Sequence, residues 1–143
     1  MLKLSAAFLF VFVLFFFSPT SFAQDGGDVQ VVHIQKNTMK GMLGDDADAF
    51  NEMLVRQSKV INSDPRVLSS EVLRHFWGAD SRDLVIVIKF KTEMDLFAFY
   101  NDLNSMLEKA YSKEQLDADN ALWNKYVGQH SDEVYSVVPG TSK

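Results

Sequence analysis

Apolar positions along the chain change their spacing several times, and each change marks a boundary. Val29 to Gln35, VQVVHIQ, is rich in β-formers and predicts a first strand. KNTMKGMLG follows as a loop with Gly41 and Gly44. After Asp45 and Asp46, either of which suits an N-cap, Phe50, Met53, Leu54, Val60 and Ile61 recur at helical spacing. Asn62-Ser63-Asp64-Pro65 stops that helix. A second strand runs from about Val67 to Trp77, a turn spans Gly78 to Asp83, and a third strand covers Leu84 to Phe90. Thr92-Glu93-Met94-Asp95 resembles a capping box with Asp in place of Glu. It opens a helix whose broad apolar face carries Leu96, Phe99, Tyr100, Leu103 and Met106. A shorter helical stretch, about Glu114 to Val127, carries Leu122, Trp123 and Tyr126, and Gly128 suits the residue just past its end. EVYSVVP, ending at Pro139, predicts the last strand.

The order β-α-β-β-α-(α)-β is the ferredoxin-like split βαβ pattern of the α+β class. It predicts a four-stranded antiparallel sheet with both main helices on one face. In the third strand Leu84, Ile86 and Ile88 alternate with Val85 and Val87, so neither face suits water. A second copy of the same sheet is the simplest cover for the other face. The expected assembly is a homodimer, a dimeric α+β barrel.

The first residues set the expected compartment. Lys3 and the amino terminus form a small positive region, and Leu4 to Phe17 is apolar apart from Ser5. Ser18-Pro19 breaks any helix, and small residues around Ala23 suit signal peptidase. Residues 1–23 read as a secretory signal peptide, since the run is shorter than the roughly 20 residues that span a bilayer. The expected location is secreted or periplasmic. There is no cysteine, which excludes a lipid-anchored lipoprotein and leans toward a bacterial exported protein rather than a disulfide-stapled one. Residues 24–28 form a polar leader, 29–138 one domain with one core, and 139–143 a tail. Without Lys3 the chain keeps 13 basic and 19 acidic residues, a net charge near −6. That balance argues against nucleic-acid binding and against anionic membrane surfaces after cleavage.

Two stretches resemble a family. LRHFWGADSRDLVIV is similar to the His-x-Trp-Gly-acidic hairpin of an exported bacterial branch of the dimeric α+β barrel superfamily, which includes antibiotic-biosynthesis-monooxygenase-like and NIPSNAP-like domains. GQHSDEVYSVVP resembles that branch's terminal His-x-Asp-x-x-Tyr segment. The matching positions are His75, Trp77 and Gly78, then His130, Asp132 and Tyr135. The resemblance implies the fold and dimerisation, and no single reaction, because one fold hosts several. Haem-degrading members carry an iron-binding histidine on the second main helix; helix 92–111 has none.

Strand parity extends the reading. On the second strand Leu68, Val72 and Phe76 share a face with Ser70 and Arg74, opposite Glu71, Leu73, His75 and Trp77. On the first, Val32 and Ile34 lie opposite His33 and Gln35. Assigning the purely apolar sets to the helices sends His33, Glu71, His75 and Trp77 into the barrel. These four are the expected ligand-binding residues, with Trp77 as a flat wall and His75 as a general base, a role for which the unperturbed imidazole pKa of about 6.5 is suited. Two imidazoles and a carboxylate also suggest a metal triad; a hydrogen-bonded polar patch is the plainer expectation, and no metal or cofactor is assigned. His130 and Asp132 suit a catalytic pairing, but the plainer expectation is that Asp132 caps a turn and His130 sits at a helix C-terminus, a structural motif completed by Tyr135. Met39 and Met42, in the glycine-flanked loop, suit either an adaptable lip over a cavity or burial against helix 92–111. The expected function is binding of a small apolar or aromatic molecule, with cofactor-independent catalysis open. The alternative is a non-catalytic dimeric accessory module.

Overall fold

The computed structural model describes residues 29–78 and 81–141. The expected signal peptide and leader lie outside the described residues. The elements are β1 (Val31–Met39), a 3-10 turn (Gly44–Asp46), α1 (Ala47–Ser63), β2 (Val67–Arg74), β3 (Asp83–Phe90), α2 (Glu93–Ala110), α3 (Lys113–Tyr126) and β4 (Val127–Ser136). The four strands form one antiparallel sheet in the order β2-β3-β1-β4. Class and topology match the expectation.

Local chemistry explains most boundaries. The Thr92 side chain accepts from the Asp95 backbone N–H at 3.0 Å and starts α2. Ser112 does the same for α3 through the Gln115 N–H. Asp46 precedes α1 but does not cap it. Its carboxylate instead lies 2.6 Å from Lys125 Nζ and 2.5 Å from the Tyr126 hydroxyl. Those contacts hold it below the usual carboxylate range.

Three boundaries differ from expectation. β1 continues four residues past Gln35. β2 stops at Arg74, so His75 to Trp77 lie beyond the strand. β4 starts at Val127, directly after α3, so Gly128 is a strand residue and no turn separates helix from strand. Glycine is required there by close approach. A Cβ at position 128 would sit 3.0 Å from the Thr38 carbonyl oxygen, where the β1–β4 register shifts.

Both main helices pack on one face. Phe50, Met53 and Leu54 of α1 meet Leu84, Tyr126 and Val127. Leu96 and Phe99 of α2 meet Val31, Ile88 and Phe90. Register pairing puts Val31, His33, Gln35 and Asn37 on this helix-covered face, opposite Phe90, Ile88, Ile86 and Leu84. Val32 and Ile34 therefore point the other way, with Val85, Val87, Glu71, Leu73 and Tyr135. No described helix covers that second face, where Leu73 and Tyr135 are about half exposed.

Candidate functional site

At the end of the sheet, where β1 and β2 finish and β3 begins, an open pocket of about 720 Å³ lies under the loop into α1. Its size is within the range of small-molecule sites. Met39, Met42, Leu43, Ala47 and Leu84 supply the apolar lining. Arg74, His75, Arg82 and Asp83 supply the polar groups. The loop is pinned from below. The Tyr126 hydroxyl lies 3.1 Å from the Leu43 carbonyl, and Lys40 Nζ donates to the Asn124 carbonyl at 2.7 Å. Met42 is 95% exposed at the rim of this pocket, whereas Met39 ends β1 and packs against the core cluster instead of lying in the loop.

Gly78 explains the His-x-Trp-Gly stretch. It has φ +144, and a Cβ on it would meet His75 Cε1 at 3.0 Å. The imidazole packs against a backbone that only glycine provides. The His75 N–H donates to the Asp83 carbonyl at 3.2 Å, the last tie to β3 before the chain turns away. Trp77 does not share this position. It is 92% exposed, and Phe76 is 101% exposed. The two aromatics stand out from the hairpin rather than lining a cavity.

His33, Glu71, His75 and Trp77 are not brought together. Glu71 lies on the open face, opposite Val87. His33 is 6% exposed on the helix-covered face. The parity argument failed on β1 because its purely apolar set faces outward, and its polar set is satisfied inside. Asn37 Nδ2 donates to the Leu84 carbonyl at 3.2 Å. His33 Nε2 lies 3.0 Å from Asp132 Oδ1, and its Nδ1 lies 2.5 Å from the Tyr100 hydroxyl. The other Asp132 oxygen is 3.1 Å from His130 Nε2.

The turn-capping role expected of Asp132 is therefore corrected. Asp132 lies within β4 and holds two imidazoles. His130 is likewise a strand residue, paired with Asn37 rather than placed at a helix end. Tyr135 pairs with Val32 on the open face. Ionised Asp132 accepts from His33 Nε2–H, which leaves Nδ1 to accept the Tyr100 proton. Burial, then the nearby Asp132 charge, pushes the Tyr100 phenol up to about 12. Chemically this is a row of proton carriers, Tyr100–His33–Asp132–His130, on the helix-covered side of the sheet edge. Among the described residues no group of three metal-ligating side chains is arranged to hold an ion.

Sequence reasoning missed two residues. Tyr100 read as part of an apolar helix face. Arg74 was visible as a charge on the apolar face of β2, an anomaly that marked it.

Comparison with solved structures places this architecture. An antibiotic biosynthesis monooxygenase candidate from Nitrosomonas europaea aligns with TM-score 0.53 at 15% identity, over 80% of this chain and 96% of its own. SnoaB, a cofactor-independent oxygenase from Streptomyces nogalater, aligns with TM-score 0.50 at 11% identity, over 80% and 99%. A dabb family protein with a ferredoxin-like fold from Mesorhizobium loti aligns with TM-score 0.50 at 15% identity, over 78% and 99%. The fold is ferredoxin-like. At these identities the likeness shows the fold alone. No family model and no curated protein matches the chain.

Proposed function

We propose that this is an exported homodimeric α+β barrel protein that binds a small, mostly apolar or aromatic molecule in the pocket beside His75. The observation that carries the reading is the lining of that pocket. Four large apolar side chains converge with a histidine whose ring is held by Gly78. His75 is the group placed to hydrogen-bond the ligand or to move its proton. The solved structures of like fold include an oxygenase that needs no cofactor, which supports, by analogy, chemistry done by side chains alone.

Dimerisation is supported by the stripe of Val32, Ile34, Leu73, Val85 and Val87 on the open face. Burying each such side chain contributes roughly 1.5–3 kcal/mol. Native mass spectrometry of the purified protein tests both parts together. The expected spectrum shows a dimer and a retained or added small ligand whose binding His75→Gln weakens. A monomer at micromolar concentration overturns the barrel. Binding unchanged in His75→Gln removes that residue from the site.

A second reading rests on Phe76 and Trp77. Two adjacent aromatics, each almost wholly exposed, are the kind of patch that docks a partner. On that reading the protein is a dimeric accessory module. Replacing both by serine would then abolish the partner contact and leave pocket binding intact.

A further inference from the structure

We infer that the pocket beside His75 selects a carboxylic acid with an apolar body, and that Arg74 is the residue that reads the carboxylate. The inference rests on the small-molecule reading of that pocket and adds the ligand's class.

Arg74 shares its stacking on a buried ring with Arg66, which lies 5.8 Å from the Phe99 centroid, but differs in its ion pairing. Its guanidinium lies over the Phe50 ring, 5.9 Å from the centroid, and Phe50 is fully buried. The charge thus sits at the core edge between α1 and β2, against the ring on one side and exposed on the other. The other arginines on the helix side have acids. Arg56 pairs with Asp119 at 2.6 Å, and Arg66 pairs with Asp64 and Asp102 at 2.6 and 2.7 Å. Among the described residues no carboxylate pairs with Arg74. The acid in the pocket lining, Asp83, lies 2.8 Å from Lys36 Nζ and is neutralised there.

The pocket mouth therefore carries the Arg74 guanidinium beside an imidazole, and the acid next to them, Asp83, is already compensated by Lys36. The whole chain has a net charge of −5. A positive pocket in an acidic protein favours an anion at that point and repels it elsewhere. A guanidinium offers two parallel N–H groups that match a carboxylate. Below it Met39, Met42, Leu43 and Leu84 give an apolar bed, with flexible methionines that accept more than one shape. A ligand that satisfies both halves has one carboxylate and an alkyl or aryl body. Arg74 also lines the neighbouring groove formed by Leu54, Val55, Ser58 and Val72. A longer body could pass beneath the guanidinium into that groove.

Calorimetric titration of the purified protein with naphthoic and decanoic acids, each against its matching alcohol, tests this. The acids should bind about tenfold more tightly than the alcohols, the equivalent of about 1.4 kcal/mol. Arg74→Gln should erase that preference and leave alcohol affinity unchanged. Arg74→Lys should restore part of it, and high salt should shrink it. Ala47→Phe, which fills the pocket, should abolish binding of acid and alcohol alike. Equal affinity of acid and alcohol in the wild-type protein overturns the carboxylate assignment and leaves the pocket reading standing. Absence of any binding, or binding untouched by Ala47→Phe, overturns the pocket reading and this inference with it. If Arg74→Gln does not fold, the salt series on the wild-type protein decides. A preference that does not fall with salt refutes a charge-based origin.

Discussion

The Tyr100 ring meets the His33 ring edge-on, with centroids 5.2 Å apart and the phenol oxygen 2.5 Å from Nδ1. One contact joins α2 to an interior strand of the sheet. It makes Tyr100 both a packing residue and the donor that satisfies a buried imidazole.

Tyr100→Phe keeps the ring and deletes the donor. His33 Nδ1 is then buried without a partner, at a cost of about 1–3 kcal/mol. Urea unfolding near neutral pH should show a lower midpoint with an unchanged slope.

The same phenol sets a high-pH dependence. Its folded pKa, about 12, lies above the ordinary value of 10.0. The stability this shift contributes is therefore fully present below pH 10 and is lost as pH rises through about 12. Ultraviolet difference titration should find a late-ionising tyrosine that disappears in Tyr100→Phe. If all tyrosines ionise together near pH 10, Tyr100 is not held as described.

Asp119 is 1% exposed, and its Oδ1 takes both Arg56 Nη2 at 2.6 Å and Gln115 Nε2 at 2.9 Å. It links α3 to α1. Asp119→Ala leaves the partly buried Arg56 guanidinium with only the looser, exposed Glu52 carboxylate at 3.6 Å and should cost about 2–4 kcal/mol. Thermal melting of this variant beside Lys113→Ala, which removes an exposed pair, should show a large drop for the first and almost none for the second.

Ile86 and Val87 are neighbours with opposite duties. Ile86 pairs with Gln35 and Val72 on the helix-covered face, and Val87 pairs with Ile34 and Glu71 on the open face. Ile86→Glu should destabilise the fold by several kcal/mol, since the charge finds no partner inside (about 3 or more). Val87→Glu should leave helix content intact and yield a monomer by sedimentation. A folded dimer from Val87→Glu would show that the open face is not the dimer interface.

Gly78→Ala places a Cβ against His75 at a backbone angle that L-residues rarely adopt. The strain is worth about 1–3 kcal/mol. The expected result is weaker ligand binding in a protein of normal mass, with the His75 imidazole resonances shifted by NMR.

Element order, sheet topology and the Thr92 cap were legible because they follow from spacing and short-range capping. The faces of β1 were not. Hydropathy says Val32 and Ile34 are more apolar than His33 and Asn37, yet the polar pair is inside. What reverses the assignment is long-range. Asp132 and Tyr100 come from distant segments, and their presence cannot be read from a strand's own alternation. At β2 the register shifts between Val67 and Ser69, which puts Val67 on the helix side against simple parity. His75 and Gly78 stood out as a motif, but their site did not, because β2 ends one residue earlier. Part of the pocket's apolar lining, Met42 and Leu43, comes from a loop whose path no periodicity specifies.

Chain order and sheet order are out of step. β1 is the earliest strand and lies between β3 and β4, while β4 is the last element made. His33 must wait for Asp132, ninety-nine residues later. During synthesis β1 can pair along one edge once β3 is available, but its other edge stays bare until Ser136 has been added. Pairings this distant close slowly. A sheet built in this order has an interior strand that gains its second neighbour only when the final strand arrives.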